Sequence, residues 1–358
     1  MPPLSQALFV QEVQRSQPDS KESLWTGTID LEWTVALVPN GGYVIGLILE
    51  SCIAHQKSHS PKVVDPVHVS AHFLRPVQGV IASQNQSGSS AKQPAPFEVH
   101  VKSIKGGSSM NNLQADLIQN EQIMVTTHLI FGVSALLNTE SPQKTQMKTL
   151  VPPSPFARRI PLRTHPSCCP DIALHPSWNF KKHISGKEDP VFKRLNGAET
   201  RPSLAAPDSN EREPPGLEFG SWLTLEDEVD PLRSSMLPFC ADIIKPLPEL
   251  LPPEVNPFVG KTWYPTLTMT IEFKAPITLE SHAEKTFGLY AVGRFFQEPL
   301  GRHETIIEVW TSPKHEAGKG SDFGNKAWRE NQRCLVIATQ TALCIPFDAQ
   351  LKSMQSKV

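Results

Sequence analysis

Val38 to Ala54 reads Val-Pro-Asn-Gly-Gly-Tyr-Val-Ile-Gly-Leu-Ile-Leu-Glu-Ser-Cys-Ile-Ala, a capped helix that is apolar nearly all the way round. A helix of that kind cannot lie on a surface and must be wrapped by the rest of the chain. Asn40 stands where an N-cap is wanted, and Gly41 and Gly42 leave the first backbone N–H groups uncovered by side chains. The helix start is therefore a candidate site for a carbonyl oxygen or oxyanion. The competing reading is that the glycines only let a neighbouring segment pack closely.

The chain has 358 residues, 39% of them hydrophobic and 20% charged, enough for one large or two medium domains with real cores. Its 34 basic and 36 acidic side chains nearly cancel, which gives no footprint for nucleic acid or an anionic membrane surface. No apolar run approaches the roughly 20 residues of a membrane span, and Met1 to Thr26 lacks the pattern of a secretory signal. A soluble cytoplasmic protein is expected. The last three residues, Ser356-Lys357-Val358, offer a peroxisomal alternative through their likeness to the Ser-Lys-Leu address. Six cysteines show no paired spacing, so neither a zinc site nor a disulfide framework is expected. Cys52, Cys240, Cys334 and Cys344 read as buried hydrophobes, and the Cys168-Cys169 pair as two exposed thiols.

In chain order, two strand-rich blocks follow one plan. The first, residues 22–136, holds the apolar helix and then strands at Val67 to Pro76, Phe97 to Ile104, Leu113 to Ile118 and Ile123 to Phe131. Gln119 to Gln122 is short enough for a hairpin, and the polar Gln84 to Pro96 stretch reads as a loop. Residues 137–175 are proline-loaded and aperiodic, a linker. The second block, residues 176–347, carries insertions near 196–215 and 312–332. Asp230 and Pro231 can open a helix running to Ile244, in which Pro238 predicts a kink or a late start. Strands follow at Thr266 to Phe273, Phe287 to Phe296, Thr305 to Trp310 and Leu335 to Ile345. The expected class is α+β, with two units of a helix wrapped by an antiparallel sheet. His68, His72, His100 and His128 alternate on strands and read as sheet-face residues.

The run Pro39-Asn40-Gly41-Gly42-Tyr43-Val44-Ile45-Gly46, then His72-Phe73-Leu74-Arg75-Pro76, then Gly107-Ser108-Ser109 and Ile118-Gln119-Asn120, resembles the first half of acyl-CoA thioesterase II and the wider thioesterase-like double hot-dog family. In the second half, Ser221-Trp222-Leu223, Ala241-Asp242, the Thr266 to Pro276 strand and Leu335-Val336-Ile337-Ala338-Thr339-Gln340 look like the matching segments. The resemblance implies a double hot-dog fold and hydrolysis of a fatty or polyketide-like acyl-CoA, with no cofactor and no metal. Its partners would be an acyl-CoA or other acyl thioester, and a homo-oligomer is compatible with it.

In the family pattern an Asp on the second helix activates water, a hydroxyl on the next strand and a Gln on the last strand orient it. Asp242, Thr266 and Gln340 match those positions, with Asn40, Gly41 and Gly42 at the oxyanion end and Leu47 and Phe273 along the acyl tunnel. Simple alternation puts Thr266, Thr268 and Thr270 on one face opposite Leu267, Met269 and Ile271, so a two-residue slip would nominate Thr268. Pro238, just before Asp242, is a departure. With a linker and insertions longer than the family core requires, it leaves room for a degenerate site that binds acyl thioesters without hydrolysing them or one that acts on a polyketide-like chain; a hot-dog dehydratase or acyl-transfer enzyme is a further alternative. A serine hydrolase is disfavoured, since no G-x-S-x-G elbow is present.

Overall fold

The computed structural model describes residues 2–14, 21–84, 90–133, 150, 152, 154–197, 199–201, 216–229, 231–252, 262–277, 282–297, 300–314 and 327–346. The first half opens with α1 (Leu4–Ala7), β1 (Gln11–Gln14) and β2 (Glu22–Thr28). A tight hairpin of β3 (Thr34–Val35) and β4 (Val38–Pro39) then delivers the chain into α2 (Gly41–His59). After it come β5 (Asp65–Phe73), a side hairpin of β6 (Val80–Gln84) and β7 (Ser90–Pro94), and the meander β8 (Pro96–Lys105), β9 (Met110–Gln119) and β10 (Gln122–Gly132). The second half contains β11 (Ile184–Glu188), α3 (Pro190–Leu195), β12 (Leu217–Leu225) and α4 (Leu237–Asp242). It continues with β13 (Thr262–Trp263), β14 (Thr266–Phe273), β15 (His282–Gln297), β16 (Arg302–Pro313), β17 (Cys334–Ala342) and β18 (Ile345–Pro346).

Twelve of these strands form one sheet in the order β1-β2-β8-β9-β10-β5-β14-β17-β16-β15-β12-β11. Read outward from the β5–β14 junction, the two halves repeat the same sequence of strand roles, six on each side. At the junction His72 pairs with Thr268 and Ser70 with Thr270, antiparallel, which extends one sheet continuously across both halves. The Gln119–Gln122 connection is a two-residue hairpin whose central residues, Asn120 and Glu121, both have positive φ (49° and 60°). That geometry matches the twist of the flanking strands.

α2 is buried along most of its length, with Tyr43, Ile45, Leu47, Ile48, Leu49 and Cys52 fully inaccessible. Its start is fixed by Asn40, whose side-chain oxygen accepts from the Tyr43 N–H at 3.0 Å. The second helix is much shorter than the sequence suggests. Instead of a helix from Pro231 to Ile244, a 3-10 turn at Ser234–Met236 leads into α4, which starts late because Pro238 is tolerated only in its first turn. Pro246 disfavours helical geometry at Lys245, so α4 has no room to run far past Asp242. The proposed cap Asp230 lies outside the described residues.

Three other expectations are corrected. In its described residues, the supposed loop from Gln84 to Pro96 belongs mostly to the β6–β7 hairpin. The proline-rich linker is, in its described part, a fixed cover: Ile160 and Leu162 are fully buried and pack with Phe192, Trp222, Tyr290, Val292 and Trp310 in a second apolar core. The Trp222 indole N–H donates to the Thr164 carbonyl at 2.9 Å, and Arg158 clasps the buried Glu308 carboxylate. The cause lies in the second half's sheet, whose outer face carries Trp222, Tyr290, Val292 and Trp310 and has to be covered. Cys169 belongs to the same cluster and is 6% exposed, not an open thiol. Residues 137–149, 202–215 and 315–326, and the terminal Ser356-Lys357-Val358, lie outside the described residues.

Candidate active site

α2 and the segment entering α4 pack antiparallel at very short range, and two glycines permit it. A Cβ on Gly42 would fall 2.2 Å from the Pro238 carbonyl oxygen and 2.7 Å from the Asp242 Cβ; one on Gly46, a turn later, would fall 2.7 Å from the Ser235 carbonyl oxygen. The close approach brings the last residue of α4 to the first turn of α2. The Gly42 N–H donates to Asp242 Oδ2 at 2.8 Å. The helix N-terminus thereby holds the anion that the exposed N–H groups and the macrodipole favour.

The other carboxylate oxygen faces the sheet. Gln340 Nε2 donates to Asp242 Oδ1 at 2.5 Å and to Thr266 Oγ1 at 2.8 Å, using both amide hydrogens. Since the Thr266 oxygen accepts from Gln340, its own proton is free to point at a third partner. Gln340 is 7% exposed, whereas Asp242 and Thr266 are half-buried, so the cluster keeps an opening on their side. Burial pushes the Asp242 carboxyl up to about 6, against the opposing pull of the Gly42 N–H, the Gln340 amide, the Gly41 N–H and the Asn40 side chain. Among the described residues no cation partners Asp242. The result is a carboxylate ionised at neutral pH yet basic enough to take a proton.

Thr266 reaches this cluster through an irregularity. On β17, Ala342 and Thr341 are consecutive, but their partners on β14 are Thr266 and Thr268, so Leu267 is an extra residue, a β-bulge. The bulge turns Thr266 to the inner face with Met269 and Ile271, both fully buried, and leaves Thr268 on the opposite face between His72 and Thr341. The shared face expected for Thr266, Thr268 and Thr270 is thus broken, and Thr268 does not join the cluster.

Asp242, Thr266, Gln340, Asn40, Gly41 and Gly42 all converge. The Gly42 N–H, however, is engaged by the carboxylate and is not an open oxyanion donor. A Cβ on Gly41 would meet Asp242 Oδ2 at 3.1 Å and the Phe73 ring at 3.2 Å, so Phe73 walls the same corner. Leu47 is fully buried in the main core and Phe273 packs at its edge. Sequence reasoning missed Thr305, which pairs with Gln340 on the neighbouring strand and is 3% exposed. Its signal was a polar side chain in phase with the apolar face of β16.

Comparison with known proteins bears on these features. Residues 29–82, which span α2 and β5, match the family model of the acyl-CoA thioesterase N-terminal domain. No curated protein matches the chain by sequence. Among solved structures, a putative thioesterase II from Thermobifida fusca YX superposes with a TM-score of 0.62 at 16% identity, covering 96% of this chain and 97% of its own. A hot-dog protein of unknown function from Alicyclobacillus acidocaldarius gives 0.62 at 16% identity, with 96% and 98% covered. The acyl-CoA thioesterase II TesB2 from Mycobacterium marinum gives 0.54 at 13% identity, with 96% and 99% covered. At these identities the superpositions establish a hot-dog type of fold along nearly the whole chain.

Proposed function

We infer that this chain, a member of the thioesterase-like superfamily, is a double hot-dog acyl-CoA thioesterase that cleaves a fatty or polyketide-like acyl-CoA with water activated by Asp242. One observation carries the reading: Gln340 ties the Asp242 carboxylate to the Thr266 hydroxyl at the N-terminus of α2. A water held between Asp242 and the free proton of Thr266 would lose a proton to the carboxylate as its oxygen attacks the thioester carbonyl. The charge that develops on the carbonyl oxygen needs donors, and the Gly41 N–H and the Asn40 amide at the start of α2, which also act on the Asp242 carboxylate, are the groups assigned to it. When the C–S bond breaks, the proton on Asp242 passes to the departing CoA sulfur and the acid is released. No metal or cofactor enters these steps.

A second reading is a non-catalytic acyl-thioester binder. It draws on the engagement of the Gly42 N–H by Asp242, which leaves fewer donors for an oxyanion. Free-CoA release from a panel of acyl-CoAs separates the two. Turnover by the native chain and its loss in Asp242→Asn support hydrolysis; tight binding without CoA release from any acyl-CoA would leave only the binder.

A further inference from the structure

The segment Ser177 to His183 grips both ends of the Gly42–Asp242 bond. On the Gly42 side it holds the turn that leads into α2. Asn179 Nδ2 points at three acceptors of that turn, the Leu31 carbonyl (3.1 Å), the Thr34 hydroxyl (2.8 Å) and the Ala36 carbonyl (2.9 Å). The Ala36 N–H, at a residue with φ of 56°, donates to the Ser177 carbonyl at 2.8 Å. His183 is 2% exposed, contacts Glu32 through Nε2 at 2.7 Å and Asp227 through Nδ1 at 2.5 Å, and stacks on Trp33 with ring centroids 5.1 Å apart. Lys182 reaches the other Glu32 oxygen at 2.7 Å. The Trp33 carbonyl in turn accepts from the Asn40 N–H, two residues before Gly42.

On the Asp242 side the link is aromatic. Phe239, one turn before Asp242 on α4, packs edge-on against Trp33 (5.1 Å) and against Phe180 of the same segment (5.2 Å). Donor and acceptor are thus held by one clamp that starts in the second half and closes over the first.

We propose that Asn179 and His183 are positioning residues for the Gly42–Asp242 pair, fixing the turn that presents the N–H against the helix that presents the carboxylate. The proposal rests on the reading of Asp242 as the base. Loosening the clamp should lengthen the Gly42 N–H contact. A carboxylate that loses a donor to its ionised form becomes harder to ionise.

The test uses the full chain with carbon-13-labelled aspartate, and the Asp242 signal is identified by its absence from Asp242→Asn. In Asn179→Ala, at an exposed position, and in His183→Gln, the titration midpoint of Asp242 should move up by roughly half a unit or more. The acid limb of kcat should move with it, and kcat should fall by about tenfold with KM within about twofold. A purely structural role would lower the melting temperature of both variants and leave the midpoint where it is in the native chain. That result in Asn179→Ala overturns the proposal even if His183→Gln fails to fold. A native chain that releases no CoA overturns the hydrolase reading, while the Asp242 titration still decides the clamp.

Discussion

The backbone N–H of Gly42 and the carboxylate of Asp242 stand 200 positions apart in the chain and 2.8 Å apart in space. The contact joins the N-terminus of the first half's helix to the last residue of the second half's, so the site belongs to neither half alone. Its chemistry can be tested one group at a time.

Asp242→Asn should lower kcat at least about a hundredfold, the lower end of what general acid–base catalysis contributes. Asparagine keeps the shape but offers one acceptor where Gln340 and Gly42 each bring a donor. Gln340→Ala and Thr266→Ala should cost less, since each leaves the base and removes only the orientation of water. Binding of a non-hydrolysable acyl-CoA should survive all three changes. If Asp242→Asn turns over normally while a change at Asn40 abolishes hydrolysis, the base lies in the first half.

Acidity should act on rate and stability with opposite signs. The rate needs ionised Asp242, so kcat should fall as pH drops through about 6. Stability runs the other way for this group. Its carboxyl is raised from 3.8 to about 6, so between those values the folded chain holds a proton that the unfolded chain has lost. The native chain should therefore lose stability relative to Asp242→Asn as pH rises from 4 to 7, by at most about 3 kcal/mol. Denaturation of both chains across that range measures the difference, and equal pH slopes would show that Asp242 is not perturbed.

The two glycines of the helix start should respond differently to alanine. At Gly42 the new methyl meets backbone at 2.2 Å, so α4 must move, and we expect a loss of about 1–3 kcal/mol together with a more than tenfold fall in kcat. At Gly41 the nearest atoms are side chains at 3.1 and 3.2 Å, which can shift by tenths of an ångström. Gly41→Ala should stay folded with a milder kinetic defect. Urea denaturation and steady-state kinetics of the pair check this ordering.

Thr266→Val and Thr268→Val are chemically the same change two residues apart. Only the first removes a partner of Gln340, so only it should depress kcat, while Thr268→Val should stay within about twofold of the native rate. The reverse outcome would mean that β14 is read in the wrong frame.

Much of this was legible in the residues themselves. The apolar run after Asn40 could only be a buried helix, and the alternation from Phe97 to Phe131 could only be a meander, because each pattern is set by local periodicity. What escaped depends on contacts between distant segments. No local pattern marks Leu267 as an extra residue, and the alternation of Thr266, Thr268 and Thr270 points the wrong way. Asn179 and His183 sit at the very start of the second block, before its first expected strand, where a side chain that clamps a turn some 140 residues upstream looks like any loop residue. The cover formed by Ile160 and Leu162 was hidden for the same reason: its partners, Trp222 and Trp310, lie on strands far along the chain.

The bulge at Leu267 also sets which length changes the strand can absorb. Deleting Leu267 would make β14 regular and leave Thr266 opposite Ala342, still aimed inward, because the parity of the strand beyond it does not change. Inserting one residue between Met269 and Thr270 would reverse every side chain on one side of the insertion and force either the hydroxyl or the buried Ile271 to the wrong face. Leu267 is thus the position at which β14 can be shortened without disturbing the frame on which Gln340 depends.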